Sequence, residues 1–186
     1  MVPLMSLILP IILSAVFVFV ASAVMHMMLP YHQSDYKTVP GQDDVQEALR
    51  KFNIPPGDYM LPRPASMKEW REPAFKEKFM KGPVAMMTVF PSGQMGMGKQ
   101  LVQWFFYCVL IGVFAGYVAG RAVGPGTPYL TVFRFAGTTA FAAYALGQWQ
   151  DSIWYRRSWA TTMKYTIDSL IFAGLTGGTF GWLWPK

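Results

Sequence analysis

One cysteine, two histidines and no formally charged side chain before Asp35: the 186-residue chain is defined first by what it lacks. A lone Cys108, set inside an apolar run, excludes a disulfide framework, a cysteine-based zinc site and a cysteine-ligated iron–sulfur cluster. Of the two histidines, His26 alone lies near an apolar segment, so no haem is clamped between histidines of two helices within one chain. Neither histidine accompanies a recognisable nucleophile motif, and no paired carboxylates fall in a cleft-forming apolar stretch. The residues that carry catalysis are missing, and a non-catalytic protein is expected. Charge is scarce too: 14% of residues are charged, against roughly a quarter in an average soluble domain.

What is present is apolar and aromatic. Hydrophobic residues make up 53% of the chain, with seven Trp and thirteen Met. The apolar residues are gathered into four runs, Leu4–Leu29, Leu101–Gly120, Tyr129–Trp149 and Tyr165–Trp184. A helix needs some 20 apolar residues to cross a hydrocarbon layer of roughly 30 Å. Each run therefore predicts a transmembrane helix. The first lacks the basic n-region of a secretory signal and outruns its usual apolar core, so it is read as a retained span, bent where Pro10 removes a backbone donor. The Gly124-Pro125-Gly126-Thr127-Pro128 string is a tight turn that makes spans two and three an antiparallel hairpin.

The net charge of +6 does not point to nucleic acid, because the basic residues lie in loops between the apolar runs, where anionic headgroups and insertion call for them. The segment from Pro30 to Lys99 holds ten of the sixteen Lys and Arg, and Arg156, Arg157 and Lys164 follow span three against Arg121 alone after span two. Positive loops stay in the cytoplasm. Both termini are thus expected outside and the 30–99 loop inside, in a membrane read as a bacterial inner membrane.

That loop reads as a small headpiece dividing the membrane segments 1–29 and 100–186. Asp43 with Gln46 resembles a helix start, Val45, Ala48, Leu49 and Phe52 recur at helical spacing, and the Pro55-Pro56-Gly57 string ends the run. Ser66 with Glu69 forms a second capping box, Pro73 opens a further turn, Gly82 closes it, and Ala85 to Phe90 fits a short strand. So little structure is not expected to bury its own core. Phe52, Trp70, Phe75 and Phe79 are expected to pack on the membrane, the bundle or a partner.

Several strings invite sharper readings. Gly93 to Gln100 matches G-x-x-x-x-G-K, but Gln100 replaces the Ser or Thr that holds Mg²⁺ and a membrane span follows, so a linker with Lys99 at headgroup level is expected and ATP is not. Gly112, Gly116 and Gly120 share one face of span two. In span four, Gly174/Gly178 and Gly177/Gly181 repeat the four-residue spacing, and Ala136/Ala140 and Ala143/Gly147 do so in span three. Lipid supplies no hydrophobic drive between helices, so such small faces are expected to carry helix packing. Arg134 and Asp168 are charged residues within spans; their depths differ too much for pairing, and Asp168 is expected to meet Lys164 or its own interface. Trp149, Trp154, Arg156, Arg157 and Trp159 read as an interfacial, lipid-binding segment. Met25, His26 and His32 combine thioether and imidazole as a copper site does, yet neighbouring residues on a helix point apart.

The sequence thus predicts an all-α integral membrane protein of four transmembrane helices with a small cytoplasmic headpiece. The expected role is an accessory or assembly subunit of a larger membrane complex, in contact with lipids and other subunits, with bound lipid but no other cofactor. A small oligomeric transporter or channel is the alternative, though the spans offer little polar lining beyond Ser14, Thr138, Thr139 and Thr176. A copper-handling protein is the third reading.

Overall fold

The computed structural model describes residues 1–93 and 96–186. In chain order the elements are α1 (Ile8–Ala23), α2 (Gln42–Arg50), β1 (Gly57–Leu61), α3 (Met67–Arg71), α4 (Pro73–Lys81), β2 (Ala85–Val89), α5 (Gly98–Ala122), α6 (Tyr129–Ala145), α7 (Trp149–Trp154) and α8 (Trp159–Trp182). They fall into two compact units, Met1–Tyr36 with Gly96–Lys186, and Lys37–Met95. The protein is mostly helical, all-α in class apart from one antiparallel pair of strands.

In the larger unit, α1, α5, α6 and α8 form a closed ring of contacts, α1 against α5, α5 against α6, α6 against α8, and α8 against α1. Small residues set how closely they approach. A side chain on Gly177 would meet the Phe133 carbonyl at 2.9 Å and the Gly137 Cα at 3.0 Å, so α6 and α8 touch backbone to backbone. Gly120 meets the Val2 carbonyl in the same way, and its own carbonyl accepts from the Val2 amide at 2.8 Å. Two adjoining clusters fill the interior. One joins Val2, Leu7, Ile11, Val132 and Phe180; the other joins Ala15, Val18, Cys108, Tyr144 and Phe172.

Among the described residues two helical stretches, Leu4–Met28 and Gly98–Ala122, are long and apolar enough to cross a membrane. The other two expected spans differ from their sequence outlines. α6 stops at Ala145, and a 3-10 turn over Leu146–Gln148 leads into α7, so Trp149 opens a new helix instead of closing a span. At 17 residues α6 reaches about 26 Å. α8 begins at Trp159, six residues before the expected Tyr165, and its first half carries Thr161, Thr162, Lys164, Thr166, Asp168 and Ser169, which dilute its apolar character. α1 is not simply bent at Pro10. It ends in a π turn over Val24–Met28, closed by the Leu29 amide on the Val24 carbonyl at 3.2 Å.

The smaller unit follows its local signals in part. Ser66 caps α3, its hydroxyl accepting from the Glu69 amide, while the Glu69 carboxylate accepts from the Ala65 amide. Pro73 opens α4 and Gly82 closes it with φ 65°. Asp43 is not the cap of α2: Gly41, at φ 62°, holds that position and Asp43 lies in the first turn. A second strand, β1, pairs antiparallel with β2 from Gly57↔Val89 to Leu61↔Ala85, and Thr88 Oγ1 donates to Asp58 across the pair at 2.6 Å. The aromatic residues pack on one another instead of outward. Trp70 lies 5.4 Å from Phe75 and 5.6 Å from Phe79 by ring centroids, and Phe75 is buried. Phe52 stays exposed, with Val45 and Leu49 of the same α2 stripe.

Candidate histidine–aspartate site

The glycines singled out in the spans are, apart from Gly147 and Gly174, filled from within the chain. Gly112 faces Ile11 of α1, Gly116 faces the Phe180 ring and Leu4, and Gly178 and Gly181 face Tyr129. Gly174 differs: no described atom lies within 4 Å of where its side chain would start, and Leu170 and Ile171 beside it are exposed. Gly137, the counterpart of Gly177, carries no sequence signal of its own because its four-residue neighbours are larger. The hydroxyls of Ser14, Thr139 and Thr176 donate to carbonyls of their own helices, so each is satisfied locally and lines no polar path.

Arg134 and Asp168 part company. Arg134 is exposed. Asp168 is 1% exposed, nine residues into α8, and its partner is not Lys164. After the π turn the chain breaks at Pro30 into a 3-10 turn over Pro30–Asp35, and this turn lays His32 back against α8. His32 Nε2 then stands 2.9 Å from Asp168 Oδ2. Lys164, one turn earlier, instead donates to the Tyr31 carbonyl at 2.7 Å, to Ser34 at 2.8 Å and to Asp35 at 3.0 Å. Within the π turn, the exposed His26 ring lies 4.1 Å from the His32 ring and 5.7 Å from Tyr165. One ligating atom from each of His26, His32 and Asp168 falls within 4.8 Å of the others. Met25 turns away into the apolar core and Met28 is exposed, so the thioethers of the copper reading do not gather with both imidazoles.

The electrostatics are unequal. Asp35 is 2% exposed, and burial by itself raises its pKa. Hydrogen bonds from His32 Nδ1 at 2.6 Å and from Lys164 outweigh that and hold it below the usual carboxylate range. Asp35 is therefore an ionised acceptor, and His32 Nδ1 carries the proton it donates. Asp168 has no such support. Among the described residues neither of its oxygens nor His32 Nε2 has a hydrogen-bond partner, although Nε2 stands 2.9 Å from Oδ2.

Beside this cluster lies a cavity of about 620 Å³. Its apolar wall includes Phe19, Leu101, Trp104, Tyr144 and Phe172, while His26, Gln148, Tyr165 and Asp168 bring polar groups to it. Trp104 Nε1 donates to Ser22 at 2.8 Å and fixes the α5 wall to α1. The proposed interfacial residues sit apart from one another in role. Trp149 donates to Thr166 at 3.1 Å and stacks edge-on with Trp159, Arg157 lies over the Tyr165 ring at 4.9 Å, and Trp154, Arg156 and Lys99 are exposed. Of the Gly93–Gln100 string, Gln94 and Met95 lie outside the described residues, and Gly98, Lys99 and Gln100 form the first turn of α5.

The nearness of His26 and His32 shows in the sequence, whereas Asp168 lies far along the chain and no local spacing joins it to them. Compared with protein-family models, with curated proteins and with solved structures, the chain matches none.

Proposed function

We propose that this chain is a four-span membrane protein whose larger unit binds a small amphipathic molecule between its helices. The cavity carries the reading: about 620 Å³ with apolar and aromatic walls and a few polar groups at one place is the form ligand sites take. The occupant's chain lies against Phe19, Leu101 and Phe172, and its polar head meets Gln148, Tyr165 and His26. A single lipid or lipid-like cofactor has that chemistry. Four crossings are supported by the outer faces of α6 and α8, where Leu130, Phe135, Leu170, Ile171 and Trp182 are exposed and suit acyl chains. The charge of the loops supports termini outside and residues 37–95 in the cytoplasm.

Purification in mild detergent followed by native mass spectrometry tests the reading. A bound mass of lipid size is expected on the wild-type protein and not on Gly147→Phe, a position on the cavity wall where no described atom crowds a new side chain. Equal occupancy in both, or none in either, overturns it.

A second reading, an accessory subunit of a larger membrane complex, draws on one observation. The notch at Gly174, flanked by exposed Leu170 and Ile171, is a small-residue face with no described atom against it. Stoichiometric partner subunits in the same preparation, displaced by Gly174→Leu, are its expected sign.

A further inference from the structure

We infer that His26, His32 and Asp168 form a binding site for one divalent first-row transition ion of the zinc or ferrous type, with Asp35 as the group that orients His32. The inference goes beyond the cavity's occupant and rests on the side chains alone.

The argument starts from charge. Asp168 is 1% exposed, and an ionised carboxylate taken out of water without a partner is costly enough that buried charges are paired or bind metals. The nearby cation is already engaged: Lys164 balances Asp35 and saturates its three donors on Tyr31, Ser34 and Asp35. What faces Asp168 is His32 Nε2. Nε2 stands 2.9 Å from Asp168 Oδ2, with Nδ1 turned to Asp35. Both carboxylate oxygens and Nε2 are left without hydrogen-bond partners among the described residues. An ion placed to one side of the pair satisfies all three atoms, and His26 supplies the next donor on that side.

The rest of the arrangement is that of a metal site. Ligating histidines characteristically donate their other ring nitrogen to a carboxylate, which fixes the tautomer, and the Asp35–His32 contact of 2.6 Å does this. Two imidazoles and one carboxylate are the donor set of zinc sites with an open position and of non-haem ferrous sites, whereas copper(I) selects thioether and thiolate sulfur. Tetrahedral ligands about 2.1 Å from a zinc ion lie about 3.4 Å apart, so a cluster within 4.8 Å closes on an ion through modest rotation of His26, whose ring is accessible. His26 and Asp168 also line the cavity, so the remaining coordination position opens there, to water or to an oxygen of the occupant.

The test uses the full chain purified in detergent. Metal analysis of the protein as isolated, and titration of the chelator-treated protein with Zn²⁺ and with Co²⁺ as a spectroscopic probe, are expected to give one ion per chain. The Co²⁺ spectrum is expected to show nitrogen and oxygen ligation with no sulfur charge-transfer band. Affinity is expected to fall at least 10-fold in His26→Ala and Asp168→Asn, and 10- to 100-fold in Asp35→Asn, while Met25→Leu and Met28→Leu match the wild type. His26→Ala alters an accessible ring, so it reports on binding even if a buried variant fails to fold, and size-exclusion elution identifies such failure. Wild-type protein that takes up neither ion, or His26→Ala that binds as the wild type does, overturns the inference. Gly147→Phe separates the two proposals, since it is expected to lose the lipid-size mass and keep the metal: metal in wild-type protein that carries no lipid-size mass breaks only the cavity reading, and a retained occupant without metal breaks only this one.

Discussion

The two ends of the four-helix unit use opposite materials. At one end Val2, Gly120, Phe180 and Gly181 meet Leu7 and Tyr129 in a dry contact where backbones touch. At the other, Trp104, Tyr144 and Phe172 prop the helices around a cavity, and its floor is a polar cluster. The difference follows side-chain size. Glycine lets helices approach until their backbones meet, which gains dispersion energy. Large aromatic rings hold helices apart, and the space left between them is available to a ligand. One end of this bundle closes by backbone contact and the other stays open around a cavity.

Substituting the dry end probes the contrast most severely. Gly177→Leu places a side chain where the Phe133 carbonyl and Gly137 already stand, and α6 must leave α8. Overpacking costs about 1–3 kcal/mol where a core can adjust; a backbone neighbour cannot, so loss of a monodisperse peak in detergent is expected. Gly174→Leu, with the same spacing in the same helix and no described neighbour, leaves the isolated chain's elution unchanged. If both variants behaved alike, glycine spacing rather than close approach would be what matters.

The polar end responds less strongly. Lys164→Met removes the cation from Asp35, which is 2% exposed, and strands a buried carboxylate. About 3 kcal/mol is expected, near the lower end for breaking a buried pair, read as a fall in the thermal unfolding temperature in detergent. A variant as stable as the wild type would mean that His32 alone supports Asp35. Trp104→Phe has the smallest effect, about 1 kcal/mol for the lost hydrogen bond to Ser22, with looser binding of the cavity's occupant as the accompanying sign.

Legibility in the sequence tracked the range of the interaction. The first and second long apolar helices, the Ser66 cap, the Pro73 start and the Gly82 stop depend on neighbours a few residues away, and the structure has them where the pattern placed them. β1 was hidden because Asp58 and the preceding Pro55-Pro56-Gly57 string read as a helix end, and its partner β2 lies beyond two intervening helices. The pairing of His32 with Asp168 was hidden twice over. A straight helix through Leu29 points His26 and its neighbours in divergent directions, and the depth estimate for Asp168 assumed that α8 begins at Tyr165. The π turn and the six additional residues of α8 removed both assumptions.

Composition by itself determined that this chain is helical and apolar, that its glycines serve close approach, and that its basic residues cluster in loops, because hydrophobicity and backbone freedom belong to each residue wherever it lies. Tertiary structure alone decided which glycines are filled from within, that residues 57–61 pair with 85–89, and that His26, His32 and Asp168 converge. Convergence of that kind is set by a turn that reverses the chain and by the register of two helices. Neither is encoded in any window short enough to read along the chain.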